Sequence, residues 1–146
     1  MAFLAAHRGM SGSAGTLLLI VKKGKVMAGK THTEMDTQMR ECIDLCHDCH
    51  DICTETITHC LEMGGKHAEP SHIRLMQDCA EICQTSANFM LRMSDVHGQV
   101  CGVCADVCER CAQDCESFGD DEMMMQCAEV CRSCAASCRE MAGMSS

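Results

Sequence analysis

The sequence predicts an all-α protein, an antiparallel up-down-up-down four-helix bundle with a cysteine-lined core. Four segments of helical length are separated by glycine or proline, and cysteines recur along all four at one helical spacing. The 146 residues include 16 Cys and 14 Met, but only three Phe and no Tyr or Trp. Sulfur side chains must therefore fill much of the volume that aromatic side chains usually occupy in a core.

The first two helices are delimited by capping residues, glycine and proline. Thr33, with Asp36 three residues later, predicts an N-cap, and Gly64-Gly65 ends the first helix. Pro70 introduces a second helix, which is predicted to run to about Met93.

The last two helices are delimited in the same way. Gly98 and Gly119 bracket the third helix, and Gly143 ends the fourth. The acidic run 120–122 gives the fourth helix a first turn that suits the helix dipole. Short connections between long helices favour antiparallel neighbours, which is why the bundle is predicted to run up-down-up-down.

The chain is predicted to divide into an N-terminal extension, residues 1–32, and the bundle, residues 33–146. The extension is rich in Gly, Ser and Lys and contains no Cys. A disordered leader, a small strand pair and a segment upstream of a start at Met27 all stay open for it. We assign it no chemistry.

Charge and hydropathy exclude several classes of protein. The formal net charge of −9 argues against a nucleic-acid or anionic-membrane surface. No apolar run approaches the roughly 18 residues of a membrane span. The short run 17–21 is followed by lysines, the reverse of a secretory signal. We therefore expect a cytoplasmic protein, without excluding export.

The cysteines form a repeat that runs through all four helices. Three helices each carry four cysteines at offsets 0, 4, 7 and 11, namely Cys42, Cys46, Cys49, Cys53; Cys104, Cys108, Cys111, Cys115; and Cys127, Cys131, Cys134, Cys138. The second helix keeps this frame as Cys79, Cys83, Ser86 and Met90, while Cys60 and Cys101 extend the rows of the first and third helices. At about 100° per residue, these offsets form one narrow inward stripe per helix.

Repeated thiols on one face indicate a metal site. A buried cysteine is ordinarily a small apolar side chain, and for one or two cysteines that interpretation would be preferred. Sixteen at one spacing are poorly explained by packing alone, since Ala, Val or Leu would fill the space without the risk of oxidation. A disulfide framework is disfavoured, because pairs within one helix would cross-link only consecutive turns.

Cu(I) fits these thiols better than other soft metals do. Thiolates select Cu(I), zinc or iron–sulfur clusters. Two metal–sulfur bonds of about 2.3 Å in a line span about 4.6 Å, which is close to the distance between the Cβ atoms of residues i and i+4. One helix can therefore supply a near-linear pair of thiolates to a two-coordinate ion. Four thiolates around Zn²⁺ would bury two negative charges, whereas Cu⁺ in place of a thiol proton changes no net charge. If each sulfur bridges two ions and each ion takes two sulfurs, capacity approaches about one Cu(I) per thiol, on the order of sixteen.

Three alternatives stay open at this point. A zinc or general heavy-metal buffer would use the same thiols. An iron–sulfur electron-transfer protein is less consistent, because the spacing of Cys46, Cys49 and Cys53 lacks the proline and third interval of a ferredoxin motif. A thiol-rich structural bundle that assembles with partners would hold no stoichiometric metal.

The repeated CxxxCxxCxxxC frame over about residues 33–142 resembles the bacterial copper storage proteins, which are four-helix bundles. The resemblance implies Cu(I) storage, a largely preformed apo bundle and a homotetramer. We predict a non-enzymatic copper store whose partners are copper ions and a copper chaperone or acceptor protein. Family members are exported or cytosolic, and this chain is similar to the cytosolic type. Ser86 and Met90 depart from the frame, although a Met90 thioether can still bind Cu(I).

Softer, weaker ligands gather where the first helix ends and the second and fourth begin. That end collects His59, Met63, His67, His72, Met76 and the run 123–125, and the candidate ligands of a copper-capturing mouth there are His59, Met63, His72, Met76 and Met124. The alternative is that methionines merely fill the end of the bundle and histidines face solvent. We favour the mouth because His and Met occur together, with Met76 and Met124 one turn before Cys79 and Cys127.

Overall fold

The computed structural model describes residues 35–144, and the fold is given for that part of the chain. Its elements are four α-helices and one short 3₁₀ segment: α1 (Thr37–Met63), the 3₁₀ segment (Gly65–Ala68), α2 (Pro70–Leu91), α3 (His97–Glu116) and α4 (Glu122–Met144). No strand occurs in the described part. The predicted all-α fold is confirmed.

The ends of α1 follow from local chemistry. The carboxylate of Asp36 accepts a hydrogen bond from the backbone N–H of Met39 at 2.7 Å, so Asp36 is the N-cap. Thr33, the predicted cap, lies outside the described residues, as does the predicted domain boundary at residue 32. Gly64 ends α1 at φ +69°, in the left-handed region that favours glycine.

The remaining helix ends differ from the predictions by a few residues. Pro70 opens α2 as predicted, but α2 stops at Leu91, because Met93 turns the chain at φ +54°. α3 starts at His97, before the predicted boundary glycine. Gly143 lies inside α4 rather than ending it, since one glycine near a helix end costs only about 1 kcal/mol.

The four helices form an antiparallel ring. α1 packs against α2 and α4, and α3 packs against the same two helices, so the diagonal pairs are separated by the core. Cys42 near the start of α1 contacts Cys138 near the end of α4, while Cys53 contacts Cys127. These pairs show that α1 and α4 run in opposite directions. The up-down-up-down order is thereby confirmed.

Alanines follow four of the cysteines of α3 and α4. Ala105 and Ala112 of α3 and Ala128 and Ala135 of α4 are all buried, and the two helices pack against each other. The methyl side chains that follow Cys104, Cys111, Cys127 and Cys134 are small enough for close helix packing beside the sulfur stripe. In the described part of the chain, no helix combines the length and the apolar character needed to cross a bilayer.

Candidate metal site

All sixteen cysteines lie inside the bundle as free thiols. None has any exposed surface, and none is in a disulfide. The structure therefore confirms the predicted cysteine-lined core. We call the buried cysteines other than Cys60 the thiol column. Cys60 is separated from the thiol column, because Thr56 occupies the position on the stripe between Cys53 and Cys60. The Thr56 hydroxyl donates a hydrogen bond to the Ile52 carbonyl at 2.7 Å.

Contacts within the thiol column mostly link different helices. Cys49 Sγ lies 3.6 Å from Cys131 Sγ and 3.8 Å from Cys79 Sγ. Cys83 Sγ lies 3.4 Å from Cys108 Sγ, the shortest of these contacts. Contacts between successive turns of one helix also occur, as in α3 between Cys104 and Cys108 at 3.8 Å. The sequence led us to consider pairs along one helix, whereas the structure joins the helices across the axis.

The thiol column contains groups of four sulfurs that converge on common points. Within each group all four sulfur atoms lie within 4.8 Å of one another. We call these the four-thiol clusters: Cys46, Cys104, Cys134, Cys138; Cys49, Cys83, Cys108, Cys134; Cys49, Cys53, Cys79, Cys131; and Cys53, Cys111, Cys127, Cys131. Cys49, Cys53, Cys131 and Cys134 each belong to two clusters, so ions in adjacent clusters would share sulfur ligands.

The sulfur separations are close to those that thiolate-bound copper needs. Contacts in the column range from 3.4 Å to 4.0 Å. With a metal–sulfur bond of about 2.3 Å, a trigonal ion needs sulfurs about 4.0 Å apart and a linear ion about 4.6 Å. The sulfurs must therefore separate by about 0.6 Å or less for three-coordination, and by about 0.6–1.2 Å for two-coordination. Side-chain rotations are sufficient for movements of this size.

The core offers no positive charge to balance an anionic metal site. Among the described residues the buried polar side chains are Thr56, His72 and Ser86, and no Lys or Arg is buried. Burial raises the pKa of the Cys60 thiol to about 11, and the charge of Asp121 acts in the same direction. That thiol keeps its proton at neutral pH, so a Cu⁺ that replaces the proton leaves the local charge unchanged.

Cys60 is surrounded by nitrogen and thioether ligands at the end of the bundle. Its sulfur lies 3.4 Å from His72 Nε2 and 3.5 Å from Met124 Sδ. His72 is buried, and its Nδ1 hydrogen-bonds to the Asp114 carboxylate. That bond fixes the ring orientation and directs Nε2 towards the sulfur. Cys60, His72 and Met124 thus form a compact soft-ligand group, which we call the mouth.

Known proteins resemble this chain in sequence and in fold. The sequence profile of the family described as Csp, copper storage protein, matches residues 35–143, which include all of the cysteines. The chain belongs to the copper storage protein family. Its relatives in that family include bundles that have been solved with copper bound.

Three solved structures show the extent of the likeness. Nmul_A1745 of Nitrosospira multiformis is 49% identical with a TM-score of 0.71, covering 75% of this chain and 99% of its own. The Cu(I)-bound Bacillus copper storage protein BsCsp3 is 36% identical with a TM-score of 0.68, covering 73% and 99%. Ccsp of Streptomyces lividans, loaded with 10 copper equivalents, is 30% identical with a TM-score of 0.66, covering 84% and 98%.

The predicted soft ligands outside the thiol column divide into three groups. Met76 and Met124 are completely buried at the mouth end, beside the thiol column. Met63 is 57% exposed, and His59 hydrogen-bonds to Asp121, so the structure does not bring either to Cys60. Met90 is buried at the opposite end of the bundle.

Sequence reasoning missed the carboxylates that orient the histidines. Asp114 holds His72, and Asp121 accepts hydrogen bonds from both His59 and His67. An acidic residue in an otherwise acidic sequence gives no signal of such a role. The position of Thr56 was predictable, because it lies 14 residues after Cys42 and so continues the same stripe.

Proposed function

We propose that this member of the copper storage protein family stores Cu(I) in the thiol column and at Cys60, with all sixteen cysteines as ligands. The observation that carries the proposal is the series of four-thiol clusters that share sulfurs along one axis. Shared sulfurs allow bridging, and bridging allows many ions per chain. Storage needs no catalytic group, so the proposed role is non-enzymatic.

Capacity is the direct consequence of bridging. Two sulfurs per ion and two ions per sulfur give about one Cu(I) per thiol, on the order of sixteen per chain. The reduced apo-protein is titrated anaerobically with Cu(I) in the presence of a competing chromogenic chelator. Saturation near sixteen supports the proposal, and saturation at only two to four ions contradicts it.

Zinc is the main competing metal, because each four-thiol cluster has the four ligands that zinc usually binds. Net charge distinguishes the two metals, because each buried Zn²⁺ site with four thiolates would carry two uncompensated negative charges, whereas Cu⁺ in place of a thiol proton adds none. Adding Cu(I) to the zinc-treated protein should release the zinc from the core, as measured by elemental analysis. Retention of core zinc against stoichiometric Cu(I) would favour a general metal buffer instead.

The mouth is proposed to capture Cu(I) and pass it to the thiol column. Cys60 supplies a thiol, and the His72 imidazole and the Met124 thioether lie within 3.5 Å of its sulfur. His and Met hold Cu(I) less tightly than thiolate, so they suit transfer rather than retention. Met76 lies one turn before Cys79, where it could hand the ion on.

The mouth predicts a kinetic effect that is separate from capacity. His72→Gln keeps a side chain that can hydrogen-bond to Asp114 but removes the imidazole. The variant should take up Cu(I) more slowly and reach the same final copper content. The matched control is His50→Gln, because His50 hydrogen-bonds to the Ala80 carbonyl at 2.9 Å, away from the axis. Equal Cu(I) uptake rates in both variants would contradict a role for His72 in copper capture.

His59, Met63 and Met90 are weaker ligand candidates than the sequence indicated. Met63 extends into solvent, and His59 hydrogen-bonds to the Asp121 carboxylate. Met90 is buried at the far end of the bundle, and Met39 and Met141 belong to the same buried core. We propose that Met90 binds copper only where the missing thiol of the frame leaves an ion short of a ligand.

Membership of the copper storage protein family supports a proposal for the oligomeric state and the cellular location of this protein. We propose a cytoplasmic homotetramer that exchanges copper with a chaperone or acceptor protein. A Streptomyces lividans relative, 32% identical, is described as cytosolic. Exposed apolar residues, such as Val96 just before α3 and Val103 on α3, suit contact between copies. Light scattering on purified apo-protein tests the assembly, and a monomeric mass would contradict it.

A further inference from the structure

A second group of metal-ligating side chains lies beside the mouth and outside the thiol column. His59 comes from the last turns of α1, His67 from the 3₁₀ segment and Asp121 from the residue before α4. His59 Nε2 lies 2.9 Å from Asp121 Oδ2, and His67 Nε2 lies 3.0 Å from the same oxygen. All three ligand atoms lie within 4.8 Å of one another. Three separate chain segments thus place two imidazoles and one carboxylate at a single point.

We propose that His59, His67 and Asp121 form a binding site for a divalent cation of the zinc class, separate from the Cu(I) store. Imidazole nitrogen and carboxylate oxygen suit zinc and similar divalent ions, whereas Cu(I) selects the thiolates of the core. Two neutral imidazoles and one carboxylate around a dication leave a net charge of +1. A partly solvated position on a chain with net charge −9 tolerates that charge.

The ligand atoms need little movement to hold such an ion. Tetrahedral zinc with bonds of about 2.0–2.1 Å places its ligand atoms about 3.3–3.4 Å apart. The two nitrogen–oxygen distances are 2.9 Å and 3.0 Å, so each must lengthen by only about 0.4 Å. The ion would replace the two hydrogen bonds that now hold the group together.

The surroundings orient the ligands. Asp121 Oδ1 accepts the backbone N–H of Met124 at 3.1 Å, which leaves Oδ2 for the ion. The His67 ring packs on Phe118 with centroids 4.6 Å apart. Lys66, next to His67 in the sequence, donates to the Ser117 carbonyl at 3.2 Å and lies over the face of Phe118. Neighbours that fix a ligand in this way are typical of metal sites.

The site is accessible and keeps an open coordination position. The side chains of His59, His67 and Asp121 are 30%, 19% and 13% exposed. An open cleft lined by His59, Asp121, Glu122 and Gln126 borders it, so water or the Glu122 carboxylate can complete the coordination. An ion bound here would join α1, the 3₁₀ segment and α4 next to the mouth.

The test uses the protein with its thiols already occupied. Anaerobically Cu(I)-filled protein, freed of loosely held copper by a chelator, is titrated with Zn²⁺ by calorimetry and with Co²⁺ by visible absorption. We expect one Zn²⁺ per chain, and Co²⁺ bands without sulfur-to-metal charge transfer. The copper content of the same sample reports separately on the storage proposal, so failure of one is distinguishable from failure of the other.

Two variants assign the ligands. His67→Ala removes one ligand, and Asp121→Asn removes the charge while keeping a side chain that can still cap α4. Each should weaken Zn²⁺ binding at least about tenfold, the lower limit for loss of even an outer partner. His47→Ala, on α1 but away from the group, should bind as the parent does. Absence of zinc binding, sulfur charge transfer with Co²⁺, or unchanged affinity in both variants would overturn the proposal.

Discussion

Replacing Ser86 with cysteine should increase copper capacity by one ion. Ser86 is fully buried at the third position of the frame on α2, and its Oγ lies 3.4 Å from Cys101 Sγ. That distance equals the shortest thiol contact in the column, 3.4 Å between Cys83 and Cys108. Ser86→Cys therefore places a new sulfur where bridging geometry already exists.

The size of the effect follows from the ratio of ions to thiols. At about one Cu(I) per thiol, capacity should rise from about sixteen to about seventeen, a change of about 6%. The substitution changes one atom in a well-packed site, so its effect on the free energy of unfolding should stay below about 1.5 kcal/mol. Copper retained against excess Cu(I) chelator is measured by elemental analysis, relative to protein from amino-acid analysis.

A neighbouring position supplies the control. Thr85 is exposed, so Thr85→Cys adds a thiol of the same chemistry outside the core. A single surface thiolate should lose its ion to the chelator, and retained copper should stay at the parent value. If both variants gain one retained ion, or neither does, the retained copper does not depend on position in the column and the bridging argument is wrong.

Three further predictions concern the core and its protons. Cys131→Ser removes a sulfur 3.6 Å from Cys49 and 3.7 Å from Cys53, and should lower retained copper by about one to two ions per chain by titration. Met124→Leu keeps the buried volume but removes the thioether, so stopped-flow measurements should show slower Cu(I) uptake with unchanged final content. The reduced apo-protein should lose stability as pH rises from about 9 to about 11, because the unfolded thiol of Cys60 ionises first while its folded pKa is about 11. Urea unfolding at pH 7 and pH 10 checks this, and copper-loaded protein should not show the loss.

The fold was largely predictable because one periodic signal determines it. Offsets of 0, 4, 7 and 11 define a helical face, and four such faces can be buried together only in a bundle. The positions of Gly64 and Pro70 were equally informative, because each has a conformational preference that few residues share. The cap of α1 at Asp36 was less certain, since Thr and Asp both serve as N-caps.

The sites were only partly predictable. Which residues form the sulfur stripes follows from spacing, but which sulfurs touch depends on the axial offset between helices. That offset joins Cys83 to Cys108 more closely than to any cysteine of its own helix. The group of His59, His67 and Asp121 combines three segments that periodicity does not relate. Only the three-dimensional fold brings these three residues together.

In the proposed store, the core exchanges protons for monovalent copper without a change in charge. An anaerobic titration in weak buffer that records bound Cu(I) and released protons together tests this exchange most directly. We expect about sixteen ions per chain and about one proton released for each ion, up to saturation. Saturation at a few ions would contradict bridging by the thiols, and a release of close to two protons or more per ion throughout would show anionic sites in the core and contradict a neutral exchange.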